Sequence, residues 1–206
     1  MTKLLHKLLP NKLSDAILAD LAKSNLTEHD ALALGWHQDK HGNLAMPYGN
    51  GSGLKRTRLT IPITKQGKSQ RYFQPAGSSP ELYLPSIGGV DWATVKSKTH
   101  ETLYVTEGEK KAAIACKVGL PCIGLGGVDC WARKGGIPLS QWDEFNFAGR
   151  HVVIIFDSDI IDKAAVQLAE RRLAHMLHSR GANVSRLRLS ETLLNDCIKS
   201  LLGSPK

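Results

Sequence analysis

Leu103-Tyr-Val-Thr-Glu-Gly-Glu-Lys-Lys-Ala-Ala113 and Val152-Val-Ile-Ile-Phe-Asp-Ser-Asp159 share one pattern, an apolar run that ends on carboxylates. Each run reads as a buried strand, with Glu107 at the end of the first and Asp157 and Asp159 at the end of the second. Glu107 is followed by Gly108, which permits a tight turn, and then by a helical pattern from Glu109 to Val118 that stops at Gly119. If the second strand stays extended through Ser158, Asp157 and Asp159 project to the same side. Carboxylates gathered at the ends of hydrophobic strands repel one another unless a cation lies between them. Hard oxygen ligands of this type suit magnesium or manganese, which also bind substrate phosphates. The competing reading is that Asp157 and Asp159 are acids at a helix N-terminus, where the helix dipole favours them.

From residue 101 onward, strand and helix patterns alternate. Thr102–Thr106, Cys122–Leu125, His151–Phe156 and Val184–Leu189 read as strands, and the second of them ends at Gly126-Gly127. A long helix is expected over Asp162–Ser179, with Ile161, Ala165, Leu168, Ala169, Leu173, Met176 and Leu177 on one face and Gly181 as its stop. Near-continuous apolar strands separated by helices indicate an α/β fold, a parallel sheet covered on both faces. Ligands of such sheets bind at the carboxyl ends of the strands, where Glu107, Gly126-Gly127, Asp157 and Asp159 all fall. Lys110 and Lys111 stand in the first turns of the helix after Glu107, where the dipole disfavours them. One of them is expected to face the site and bind phosphate; ordinary surface exposure is the alternative. Gly126 and Gly127 would let backbone N–H groups approach the same phosphate.

The first half has a different texture. Apolar positions Leu13, Ile17 and Leu21 predict a helix over residues 12–24. Thr27 with Asp30 predicts the capped start of a second helix that ends at Gly35. Between His41 and Pro80, Gly and Pro punctuate short apolar runs, which suits a small antiparallel sheet. No Asp or Glu occurs from Lys40 to Pro80, while Lys55, Arg56, Arg58, Lys65, Lys68 and Arg71 all do. Tyr72 and Phe73 adjoin the last of these. Cations neutralise phosphates and aromatic faces stack bases, so Lys55–Tyr72 is a candidate nucleic-acid track; a solvated basic hairpin is the alternative. The division expected is a helical and basic β-rich region over 1–99 and an α/β domain over 100–206. The formal net charge of +8 suits polyanion partners. No run approaches the roughly 18 apolar residues needed to cross a membrane, and the start lacks the features of a signal peptide. The four cysteines include no Cys-x-x-Cys pair, which argues against a zinc ribbon and for free thiols in a reducing, cytoplasmic setting.

Thr106-Glu-Gly-Glu-Lys-Lys-Ala-Ala113, Ile123-Gly-Leu-Gly-Gly-Val128 and the Phe-Asp-Ser-Asp159 strand together resemble the Toprim domain. That domain is shared by DnaG-type primases, type IA and II topoisomerases, OLD-family nucleases and recombination mediators. The likeness covers about residues 101–190. It is strongest to the Toprim-like domains of phage and plasmid replication proteins, some of which are classed as DUF3854. Upstream, Leu59-x-Ile-Pro-Ile63 and Arg71-Tyr-Phe-Gln-Pro-x-Gly-Ser78 are similar to the basic region that precedes Toprim in such primases. The resemblance implies a Rossmann-like sheet of four parallel strands flanked by helices, preceded by a small basic α+β subdomain. It implies that Glu107, Asp157 and Asp159 are catalytic and hold Mg2+ or Mn2+.

The activity expected is nucleotidyl transfer: primer synthesis on a single-stranded DNA template from nucleoside triphosphates in phage or plasmid replication. A Toprim nuclease is the alternative, followed by a non-catalytic nucleic-acid-binding replication accessory module. The zinc-binding template module common in these primases has no counterpart here, and neither does a Gly-x-x-x-x-Gly-Lys-Ser/Thr loop. The chain is therefore read as a minimal primase, a subunit working with a replicative helicase or a separate template-recognition subunit, or a piece of a longer protein.

Overall fold

The computed structural model describes residues 12–49, 51–65, 67–157 and 164–189. Two helices come first among the described residues, α1 (Asp15–Ala22) and α2 (Glu28–Ala33). Ile17 and Leu21 of α1 are buried as their spacing predicts. Thr27 caps α2 in a full capping box: its hydroxyl accepts from Asp30 N–H, and the Asp30 carboxylate accepts from Thr27 N–H at 2.7 Å. Ser14 occupies the N-cap of α1 without a side-chain capping bond.

Four antiparallel strands follow in spatial order: β1 (His37–Gln38), β2 (Leu44–Pro47), β3 (Lys55–Lys65) and β4 (Lys68–Phe73). The β3–β4 register shifts between Arg58 and Ile63, so a bulge bends the hairpin. A short helix, α3 (Trp92–Ser97), lies between the two sheets in sequence. It is capped by Asp91, whose carboxylate accepts from Ala93 N–H, and it buries Trp92 and Val95.

The second sheet is fully parallel. It comprises β5 (Leu103–Glu107), β6 (Cys122–Leu125), β9 (His151–Asp157) and β10 (Asn183–Leu189), in spatial order β10-β9-β5-β6. Between β6 and β9 runs a small hairpin of β7 (Ala132–Arg133) and β8 (Ile137–Pro138), then a 3-10 turn at Ser140–Glu144. Helix α4 (Glu109–Lys117) joins β5 to β6, and α5 (Ala164–Ser179) precedes β10. Gly119 and Gly181 follow α4 and α5 with positive φ, as expected of C-terminal stops. The strands are rich in buried apolar groups: Leu103, Val105, Ile123, Val152 and Ile154 are fully buried. That is what a sheet covered on both faces requires. The free edge of β6 is paired at one point, where Tyr83 and Gly124 exchange both backbone bonds at 2.9 Å.

Helix α5 departs from its expected face. Ala165 and Leu168 are exposed, and the position between Ala169 and Leu173 that turns inward is Glu170, fully buried with Arg186 of β10 at 3.6 Å. Ile161 lies outside the described residues. One apolar core runs from Leu13 in the first half to Ala182 in the second without a break at residue 99. No described helix is long and apolar enough to cross a membrane.

Candidate functional site

The parallel sheet changes direction at β5. The chain steps from β5 outward to β6 on one side, then returns to place β9 on the other. The loops leaving β5 and β9 at their carboxyl ends therefore diverge, and the crevice between them is where open α/β sheets bind ligands. Glu107 is the last residue of β5 and Asp157 the last of β9, so the two acids flank this switch point. The register is continuous up to them: Thr106 pairs with Ile155. Just beneath the acids, the buried Thr106 hydroxyl donates to the Ile155 carbonyl at 2.8 Å and ties the two strand ends together.

Glu107 is half-buried. Gly108 follows with φ +95°, a conformation that a side chain would strain. Its N–H donates to the Leu125 carbonyl at 2.7 Å, so the turn into α4 is held against the end of β6. Of Asp157 only the backbone is described, and Asp159 lies outside the described residues. Carboxylate oxygens such as those of Glu107 are the hard donors that magnesium and manganese take. Among the described residues, no group of three or more His, Cys, Asp and Glu side chains is arranged to hold a metal.

The lysines part company. Lys110 is 8% exposed, and its ammonium donates to the Asp20 carboxylate at 2.9 Å and to the Asp20 carbonyl at 2.8 Å. Burial depresses its pKa, and the neighbouring charges of Arg58 and Lys23 act in the same direction. Lys111 is half-buried on the same turn. Of the predicted pair, the structure thus ties Lys110 to α1, away from a role as a mobile phosphate ligand.

The basic strand is divided in the same way. Arg56 is 8% exposed and points at Glu109, the first residue of α4, with Nη1 to Oε1 at 2.5 Å. Tyr48 donates to the same Oε1 at 2.7 Å. Glu109 is fully buried, and its Oε2 has no hydrogen-bond partner among the described residues; the same is true of Arg56 Nε. Burial alone would lower the Arg56 pKa, but the Glu109 carboxylate outweighs it and the net shift is upward. Arg58 grips Asp20 through two bonds, Nε at 2.6 Å and Nη2 at 2.7 Å, and donates from Nη1 to the Tyr72 hydroxyl at 2.7 Å. The Tyr72 ring has both guanidiniums near it, Arg56 at 4.8 Å and Arg58 at 5.1 Å from its centroid. Arg56, Arg58 and Tyr72, expected to meet a polyanion, instead form a lattice that joins the antiparallel sheet to α1 and α4. Lys55 and Arg71 are exposed, and Phe73 is 50% exposed. The side chains of Lys65 and Lys68 lie outside the described part.

Gly126 takes on a different meaning. A Cβ built there would lie 2.8 Å from Arg56 Nη1 and 3.2 Å from its Cζ. The missing side chain at Gly126 makes room for a guanidinium from the other sheet, so a cation already lies against the carboxyl end of β6. Beside it, the Cys130 thiol is 3.5 Å from where a Gly127 Cβ would stand. Burial raises the pKa of that thiol. The Arg56 charge opposes that shift, and the charges of Glu109, Asp129 and Glu107 add to it. Glu109, Tyr48 and Cys130 were not singled out from the sequence. The only sequence signal for Glu109 is its position as a second acid two residues after Glu107.

Residues 91–196 match a family described as "Domain of unknown function (DUF3854)". No curated protein matches, and no solved structure matches.

Proposed function

The chain belongs to the DUF3854 family, whose function is unknown, and on that premise we propose that it carries out Toprim-type, metal-dependent nucleotidyl transfer. The reaction proposed is primer synthesis on single-stranded DNA from nucleoside triphosphates. The observation that supports this reading is the position of Glu107 and Asp157 at the carboxyl ends of the two strands that flank the switch point. Fold-level likeness alone would not carry a reaction; the acids at that edge do.

Glu107, Asp157 and Asp159 are the residues that would hold magnesium or manganese. The metal would supply Lewis-acid stabilisation of charge on the transferring phosphoryl group. Glu107 accepts the proton of the attacking 3′-hydroxyl as its oxygen bonds the α-phosphorus and the bond to the departing pyrophosphate breaks, a role suited to a half-buried carboxylate at the mouth of a crevice. Lys111, on the first turn of α4, steadies the triphosphate. Arg56, held against Gly126 by its ion pair with Glu109, braces the same corner of the sheet. Exposed Lys55 and Arg71 meet the template backbone.

The test uses single-stranded DNA, labelled nucleoside triphosphates and magnesium or manganese. Primer-length products are expected, and Glu107→Gln and Asp157→Asn should each lower their rate at least about 100-fold. DNA shortened without added triphosphates would replace this reading with the nuclease one. Binding without product, unchanged in both variants, would leave an accessory module.

A further inference from the structure

We propose that the groove between α1 and the β3–β4 hairpin is a phosphate-binding pocket, formed by Lys23, Arg58 and Arg71 around Asp20. It deepens the polyanion reading of the Lys55–Tyr72 region and rests on it, but it is a separate place from the metal edge. The cavity measures about 240 Å3 and is floored by Ile17 and Leu44. That is smaller than the roughly 300 Å3 at which pockets for whole drug-sized ligands begin, so it takes a phosphate group rather than an entire nucleotide.

The charge count points to an anion. Asp20 is the one acid lining this groove, and it is already bound by Arg58 through two nitrogens and, from behind, by Lys110. Partial burial would raise the Asp20 pKa, but hydrogen bonds and charges from Arg58 and Lys110 bring it down to about 2. Its single negative charge is thus fully engaged. Lys23 and Arg71 add two more cations, and neither has a carboxylate partner among the described residues. A cavity whose lining carries two surplus positive charges beside low-dielectric walls concentrates anions. The Arg58 side chain is only 13% exposed and is held rigid by Asp20 and Tyr72, so the pocket has a built wall and not merely two surface cations. Two sources carry this chemistry: a phosphodiester in a nucleic-acid backbone, and free phosphate or pyrophosphate.

The full chain is titrated with a labelled oligothymidylate in EDTA over a range of salt concentrations, and anisotropy is read. Lys23→Ala and Arg71→Ala should each weaken binding several-fold and flatten the salt dependence by about 0.7 to 1. Lys98→Ala, an exposed lysine outside the groove, should change neither. In parallel, inorganic phosphate and pyrophosphate are added and the melting temperature is followed. A backbone occupant gives the first effect. A free-phosphate occupant gives a wild-type melting increase that both variants lose, with oligonucleotide binding unchanged. Either result supports the pocket and names its source. If both variants melt and bind as wild type in all arms, or if Lys98→Ala loses as much affinity as they do, the proposal is wrong. Arg71→Lys and Lys23→Arg keep the charge and should retain binding, which separates charge from folding. EDTA removes metal chemistry from this assay, so it and the Glu107 assay fail independently.

Discussion

The two sheets of this protein handle charge in opposite ways. The parallel sheet keeps its interior apolar and carries acids to its carboxyl edge, where Glu107 and Asp157 end neighbouring strands. The antiparallel sheet draws cations inward: Arg56 and Arg58 leave its surface and bind Glu109 and Asp20 of other elements. An acid at a strand end lies at the edge where open α/β sheets bind ligands, whereas a cation paired in the interior is already satisfied. A high density of Lys and Arg along a strand is therefore no measure of the charge it offers to a partner. The difference also locates stability. The lattice of Tyr48, Arg56, Glu109, Tyr72, Arg58, Asp20 and Lys110 fastens the first sheet to the helix that follows Glu107.

The strongest way to break the contrast is to remove one partner of the buried pair. Arg56→Ala or Glu109→Ala leaves an uncompensated buried charge and should destabilise the fold by about 3–5 kcal/mol. Replacing both at once with Met and Leu should be far less damaging than either single change predicts, measured as a double-mutant cycle in chemical denaturation. A double-variant loss equal to the sum of the two single losses would mean that the pair does not act as a unit.

Asp20 gives the next effect, and it depends on pH. Its folded pKa of about 2 lies below its ordinary 3.8, so the folded state binds fewer protons in that window. The stabilisation is fully present above the ordinary value and is lost as pH falls through the folded one. It amounts to about 1 kcal/mol once solvent screening of this partly exposed carboxylate is allowed for. The stability gap between wild type and Asp20→Asn should be level at neutral pH and close only as pH falls below about 4 toward 2. A gap that closes near pH 6 would assign it to other groups.

Gly126→Ala should cost about 1–3 kcal/mol, because its methyl meets a guanidinium that is itself fixed. Adding Arg56→Lys, which shortens the blocking group, should recover part of that loss if Arg56 is the obstacle. The smallest effect belongs to the outer part of the β3–β4 hairpin. Ile61 is 80% exposed, and Ile61→Thr should shift stability by no more than about 0.5 kcal/mol. A large loss there would show that the outer hairpin is packed against something.

Much of the architecture was legible before any coordinates. The strand–Gly–helix unit from Leu103 to Lys117 and the strands Cys122–Leu125 and His151–Asp157 follow from near-continuous apolar runs, whereas Asn183–Leu189, with Ser185, Arg186 and Arg188, follows from its place in the alternation of strands and helices. The Thr27–Asp30 capping box was legible too, because all its partners lie within four residues. Helix α3 was missed since six residues carry too little periodicity, although Asp91 was available as its cap. The α5 face was misjudged because pattern reading assigns every Glu to solvent, whereas Glu170 turns inward toward Arg186 from another strand.

By itself the sequence determined the order of elements, the apolar character of the central strands and the presence of acids at two strand ends. These are local properties, set by side-chain type and spacing along the chain. Only the tertiary structure decided which strands are neighbours, and hence that Glu107 and Asp157 flank one crevice. It alone decided that Arg56 reaches across 53 residues of sequence to Glu109 and that Lys110 reaches back 90 residues to Asp20. The physical reason is that an ion pair is made by distance in space. Sequence composition counts the charges, but folding selects which of them neutralise each other and which remain for a ligand.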